Sequence, residues 1–150
     1  MAKIYIDGKD VILFIKRINQ VPLPTGGAVF RGLACLESNS FSGTREKKTV
    51  SNKCTGGWED GIAGNGSWSM TGSGQAIKDP LISELNFQEL AAIWVAGEVV
   101  EIKMANADGT YYRAGTAIIT DFSEDANTDD PLSFEATISG LGAPILVKPI

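Results

Sequence analysis

Residues 57–74 read GWEDGIAGNGSWSMTGSG, six glycines set around two tryptophans. A phosphate-cradling loop would use glycine to bring backbone N–H groups up to an anion. The spacing excludes that reading: Ser69 stands where G-x-G-x-x-G, begun at Gly64, needs its third glycine, and no Gly-Lys-Ser/Thr follows. What remains is a long loop that runs into a strand. Residues 67–77, SWSMTGSGQAI, alternate at period two. Trp68, Met70, Gly72, Gly74 and Ala76 share one face, and Ser67, Ser69, Thr71, Ser73 and Gln75 share the other. This is a half-buried strand with a small, polar, uncharged outer surface, and its glycines lie where space is short. Residues 51–66 show no sustained period and are rich in Gly, Asn and Ser, so they are expected to form a long loop. Such loops are uncommon in compact domains unless they bind something. An exposed Trp58 there, with Ile62, suits an interface anchor; the plainer alternative is that Trp58 folds back onto its own core.

Outward from that stretch, the chain reads as mainly β. Residues 11–18, VILFIKRI, form a strand, and 20–27, with two prolines and two glycines, a bend. Residues 29–41 predict a strand with Phe30, Gly32, Ala34 and Leu36 on one face, and 47–50 continue a hairpin. Asp79-Pro80 has the signature of a helix start, with 81–97 as the helix, Leu81, Leu85, Leu90, Ile93 and Trp94 along one stripe and Gly97 as the stop. A strand follows over 98–104 with Val100, Ile102 and Met104 inward, then a turn at 106–109 and a returning strand over 110–122. An acidic loop over 123–131 leads to a last alternating strand, 132–138. The tail 140–150, GLGAPILVKPI, is apolar but broken by Gly and Pro, which suits an extended arm laid on a neighbour.

A chain of 150 residues buries roughly 68–70% of its unfolded surface, enough for a core without staples. Cys35 and Cys54 make no C-x-x-C pattern, which favours free thiols in a reducing compartment over a disulfide. The apolar run at the N-terminus is too short and too charged for a signal peptide or membrane span, so synthesis in the cytoplasm is expected. The net charge of −5 is unevenly spread. Residues 1–53 carry nine Lys/Arg against four Asp/Glu (+5), and residues 54–150 four against fourteen (−10). If the fold separates those halves, copies attract head to tail; the bland alternative is an unevenly charged solvated surface.

Catalytic chemistry has little to stand on. With no histidine, Ser-His-Asp and Cys-His systems are excluded, and zinc would be left with carboxylates and two scattered thiols. The pairs Glu59/Asp60, Glu124/Asp125 and Asp129/Asp130 read as solvated charges rather than a glycosidase dyad. Residues 125–129, DANTD, match the opening of a calcium loop but lack its sixth-place glycine and twelfth-place glutamate. No enzyme, metal or cofactor is therefore expected. The alternative class is a non-catalytic β-sandwich binding module, carbohydrate-binding-like, stacking a ligand on Trp58, Trp68, Tyr111 and Tyr112. Against nucleic acid stands the absence of a basic stripe.

The order of elements, with SGTREKKTVSNKCTGGWEDGIAGNGSWSMTGSG, DPLISELNFQELAAIWVAGEVVEI and the closing TDDPLSFEATISGLGAPI, resembles the tail tube proteins of long non-contractile phage tails, the lambda-like major tail proteins. The likeness spans roughly residues 30–142, and residues 1–28 do not match. It implies one tail tube domain over 1–150: a β-sandwich or barrel flanked by one helix, with a long inter-ring loop (51–66) and a terminal arm at one end of the chain or the other (C-terminally 140–150). It also implies six copies per ring, rings stacked into a tube for DNA ejection, a place in the virion, and tape-measure and tail-end proteins as partners. On that reading Trp58, Ile62, Arg45, Lys47, Lys48 and Lys53 make inter-ring contacts, and Glu124, Asp125, Asp129 and Asp130 are their acidic complement. The bore, which must not hold DNA, is expected to be lined by Ser69, Thr71, Ser73 and Gln75 with Ser133, Glu135, Thr137 and Ser139. DNA passes without specific binding, and no membrane is involved.

Overall fold

The computed structural model describes residues 4–18, 30–33, 36–50, 56, 58, 60–76, 84–107 and 109–148. Cys35, Cys54, Ala34, Lys53, Glu59, Asp79, Pro80 and Leu81, on which several expectations rest, lie outside them. After a short 3₁₀ turn at Gly8–Asp10 come β1 (Ile12–Arg17), β2 (Arg31–Leu33), β3 (Leu36–Val50), β4 (Asp60–Gln75), β5 (Glu84–Leu85), α1 (Phe87–Ala96), β6 (Val99–Ala105), β7 (Tyr112–Asp125) and β8 (Ser133–Ile145). The eight strands make one sheet in the order β3-β4-β8-β7-β6-β1-β2-β5. Only the short β2–β5 pair is parallel. The fold is thus mainly β with one helix, as the sequence predicts.

The sheet curls over its own core. A methyl added at Gly72 of β4 would sit 2.9 Å from Leu13 Cδ2 of β1 and 3.9 Å from Leu33 Cδ1 of β2, so strands far apart in the sheet order face each other across the interior. Between them lie Leu13, Ile15, Met70, Ile102, Phe134 and Ile138, all buried, and α1 adds Leu90 and Ile93. The helix is short because its ends are fixed: Asn86 accepts from the Glu89 N–H as N-cap, and Gly97 closes it at φ 66°. It is held to the sheet by two forked ion pairs, Arg31 to Glu89 (3.0 and 2.5 Å) and Arg17 to Glu98 (3.1 and 3.0 Å). All four side chains are half-buried, where planar guanidinium–carboxylate pairs hold best.

Trp68 answers why glycine surrounds tryptophan. Its indole lies flat on the backbone of β7 and β8. A methyl at Gly115 would come within 2.5 Å of Trp68 Cζ2, and one at Gly140 would land inside the ring. Its Nε1–H donates to the Gly142 carbonyl at 2.8 Å, and Phe41 packs at a centroid distance of 5.9 Å. Burying a side chain of this size contributes about 4–6 kcal/mol of transfer free energy.

Four expectations are corrected. Residues 60–66, expected in a loop, are the first half of β4 and pair with β3 from Asp60↔Val50 to Gly66↔Arg45. Residues 140–145, expected in an arm, belong to β8, with Leu141 opposite Thr116 and Ile145 opposite Ala114. Their glycines mark close approach to Trp68 rather than a broken strand. The helix does not run from residue 81: Glu84–Leu85 is a strand beside β2, and Leu85 enters the core from there. Residues 123–125, expected in the acidic loop, extend β7.

Gly140→Ala should lower stability by about 1–3 kcal/mol by overpacking against the indole. Gly8→Ala, with open space around it, serves as the control and should shift stability by less than about 0.5 kcal/mol. Urea unfolding followed by tryptophan fluorescence measures both.

Candidate assembly surfaces

The register of β4 decides the shape of the candidate surfaces. From Ser69 to Gln75 it pairs with β8 on one side and β3 on the other, but from Asp60 to Ser67 it pairs with β3 alone. About 25 Å of two-stranded ribbon therefore leaves the sheet, at about 3.3 Å per residue. Both of its faces are open: residues 43–50 are exposed throughout, and 60–67 are exposed or half-exposed. At its tip Trp58 is 82% exposed and Ile62 60%. Arg45, Lys47 and Lys48 lie along its length, with Arg45 Nη1 donating to the Gly64 carbonyl at 2.9 Å.

Glu124, Asp125, Asp129 and Asp130 lie at the other end. Gln75, Ser133 and Asp125 stand in register at the opposite edge of the sheet from the ribbon, and the turn that follows carries Asp129 and Asp130, all four carboxylates being exposed. The basic and acidic segments therefore do not meet within one molecule. The charge asymmetry of the sequence becomes a polarity along the strands.

A third surface is the outer face of β3, β4, β8 and β7. The eight residues expected to line a bore pair across β4 and β8: Ser69↔Ser139, Thr71↔Thr137, Ser73↔Glu135 and Gln75↔Ser133. On β3 the hydroxyls of Ser38, Ser40, Ser42 and Thr44 reach those of Ser73, Thr71, Ser69 and Ser67, and on β7 Thr120 bonds to Ser139 at 3.1 Å. Sequence reading gave the β4 and β8 rows but not the matching row on β3, which its polar alternation over 38–44 could have supplied. The charges in this field are Glu37, whose Oε1 accepts from Gln75 Nε2, with Asp121, Asp125 and Glu135; no Lys or Arg occurs in 38–44, 67–75, 121–125 or 133–139.

Sequence reading also missed a groove of about 500 Å³ beside the 106–109 turn, on the ribbon's side of the sheet. Lys103 Nζ lies over the rings of Phe14 at 4.8 Å and Phe30 at 4.6 Å. Burial, aided by the nearby Lys148 ammonium, holds Lys103 below the usual lysine pKa. The signal was legible in principle, because Lys103 and Phe14 stand at outward positions between inward ones in β6 and β1.

The proposed stacking platform does not exist as one surface. Trp68 is 6% exposed with its ring covered, and Tyr111 packs against the core under the Arg113 guanidinium, 4.8 Å from its ring.

A family model described as phage tail tube protein matches residues 5–145. The chain belongs to the phage tail tube family. The match begins well before residue 30, so it takes in most of the N-terminal stretch that the lambda-like resemblance leaves out. Solved tail structures share the fold. The tail of an empty gene transfer agent particle, refined with C6 symmetry, superposes with a TM-score of 0.74 at 24% identity, over 96% of this chain and 100% of that one. The SPP1 tail tube gives 0.72 at 11% identity, over 97% and 81%. A chain of the six-fold symmetrised anti-feeding prophage baseplate gives 0.61 at 12% identity, over 99% and 100%. No curated protein matches the chain in sequence. As a tail tube protein the chain is a structural component of the virion tail. No described helix is long and apolar enough to cross a membrane.

Trp58→Ala should leave the isolated protein's stability within about 0.5 kcal/mol of the parent, whereas Trp68→Ala should cost about 3–5 kcal/mol. Thermal and urea unfolding of the two variants side by side would reveal any reversal.

Proposed function

We propose that this chain assembles into six-membered rings that stack into a tube, with the Ser/Thr face of β3, β4, β8 and β7 lining a bore through which DNA passes. The observation that carries the proposal is that face: over 38–44, 67–75, 121–125 and 133–139 the four adjacent strands turn outward hydroxyls, Gln75 and carboxylates, with no Lys or Arg in those stretches. DNA presents one negative charge per roughly 1.7 Å, and six to ten cationic contacts change affinity about 10³–10⁵-fold between 50 and 200 mM salt. A basic wall, repeated in every ring, would hold the duplex. Hydroxyls and scattered carboxylates offer it no counter-charge and let it slide.

The six-fold symmetry of related tail assemblies supports the ring number. Ring closure also gives the exposed edge of β3 a partner, removing a sheet edge that would otherwise recruit strands at random. Stacking is a second, heterologous contact of the kind that generates filaments. The ribbon reaches the adjacent ring and anchors there through Trp58 and Ile62, while Arg45, Lys47, Lys48 and Lys53 face the acidic end of the neighbour. Exposed ion pairs are worth about 0–1 kcal/mol each, so they set register and the apolar tip supplies the energy. The chain does no catalysis in this role; its further partners are the tape-measure and tail-end proteins that set the tube's length and close its ends.

Negative-stain microscopy of the purified protein should show tubes with a central bore, and Trp58→Ala should raise the concentration needed to form them at least about tenfold. A strictly monomeric parent protein contradicts the proposal. Tubes assembled from Thr137→Lys should retain a short DNA duplex at 50 mM salt and release it at 200 mM, whereas parent tubes release it at both; equal retention would remove the bore assignment.

A further inference from the structure

Lys9, Lys103 and Lys148 line the groove at the 106–109 turn. Lys9 has Asp7 at 3.6 Å, and Asp10 stands on the groove wall. Lys103 and Lys148 make no ion pair with any described residue, and the Lys148 charge acts on Lys103. Lys103 is held by the flat faces of Phe14 and Phe30, and Lys148 by the turn, where a methyl at Gly109 would meet its Cδ at 2.8 Å. Lys103 is partly desolvated and feels the Lys148 charge, so a carboxylate arriving in the groove favours its ammonium form.

The matching carboxylates lie at the far end of the same strand. β7 begins at Tyr112, on the groove's wall, and ends at Asp125, at the acidic turn. The two surfaces are therefore about 40 Å apart along one strand direction, at about 3.3 Å per residue. A head-to-tail repeat along that direction carries the acidic turn of one molecule onto the groove of the next. The ribbon's cations, carried on a projection about 25 Å long, flank the neighbour's acidic end, while the groove lies at the end of the sheet itself, where the turn can seat.

We propose that the groove formed by Lys103, Lys148 and Phe14 is the seat, in each ring, for the acidic turn around Asp125, Asp129 and Asp130 of a copy in the adjacent ring. This rests on the stacked-ring reading and assigns one of its contacts. The turn's carboxylates enter the groove, neutralise the lysine pair and fix the axial register, while the ribbon tip supplies adhesion elsewhere.

A charge-reversal exchange on the full chain tests it. Lys148→Glu, on the groove's turn side, and Asp129→Lys with Asp130→Lys should each raise the critical concentration for tubes at least about tenfold, since like charges then meet in the contact. The three substitutions combined should return it to within about threefold of the parent. Circular dichroism of the unassembled variants checks that each is folded, and Lys103→Gln provides a second groove variant with the same expected direction. If the parent forms tubes and the reversals on both sides leave the critical concentration unchanged, or the combined variant is no better than the worse single set, the seat assignment is overturned and the stacked tube stands. If the parent forms no tubes, both fall together.

Discussion

From residue 60 to residue 67, β4 pairs with β3 and nothing else, so a ribbon two strands wide extends into solvent with no core beneath it. A two-stranded ribbon in water is marginal at best. In the proposed assembly another copy packs on it, and its root is fixed by the sheet it continues. Its root is pinned by Trp68, whose indole is clamped between Phe41 and the backbone at Gly115 and Gly140 and tied by its N–H to Gly142. The largest side chain in the region thus sits at the point where the ribbon leaves the sheet. Glycine is required beneath it because any larger residue would lift the indole off β7 and β8.

The charge distribution follows the same axis. Cations gather on the ribbon and beside the 106–109 turn, carboxylates around the turn after β7, and the face between them carries hydroxyls. A molecule polar along its strands, with a neutral face across them, can repeat along one direction without becoming adhesive on its side. In the proposed assembly this division of labour separates the stacking contacts from the bore. The half-buried Arg17, Arg31, Glu89 and Glu98 belong to neither; they hold α1 against the sheet margin.

How much was legible depended on whether a segment has two different faces. Residues 67–75 separate Trp68 and Met70 from Ser69 and Thr71, and period two identified both the strand and its faces. Residues 60–66 are the same strand continued, yet both faces meet solvent, so Gly61, Gly64, Asn65 and Gly66 carry no alternation and read as a loop. Gly140 and Gly142 misled for a related reason: glycine marks both a broken strand and a close approach, and only the position of Trp68 distinguishes them. At the helix, Asp79-Pro80 set the expected start, whereas the structure caps α1 at Asn86, which accepts from the Glu89 N–H, and Leu85 reaches the core from a strand. Of the lysine groove only the alternation was legible, with Lys103 and Phe14 outward between inward neighbours; that β1, β6 and residue 148 meet there follows from the sheet order alone.

Amide hydrogen exchange over residues 44–50 and 60–67, measured on the unassembled protein and on tubes, tests most directly whether the ribbon depends on other copies. The account predicts exchange in the unassembled protein much faster than at Met70 and Ile138, slowed at least about a hundredfold on assembly while those core amides change little. Ribbon amides as protected in the isolated molecule as those of the core, and unchanged in the tube, would contradict it.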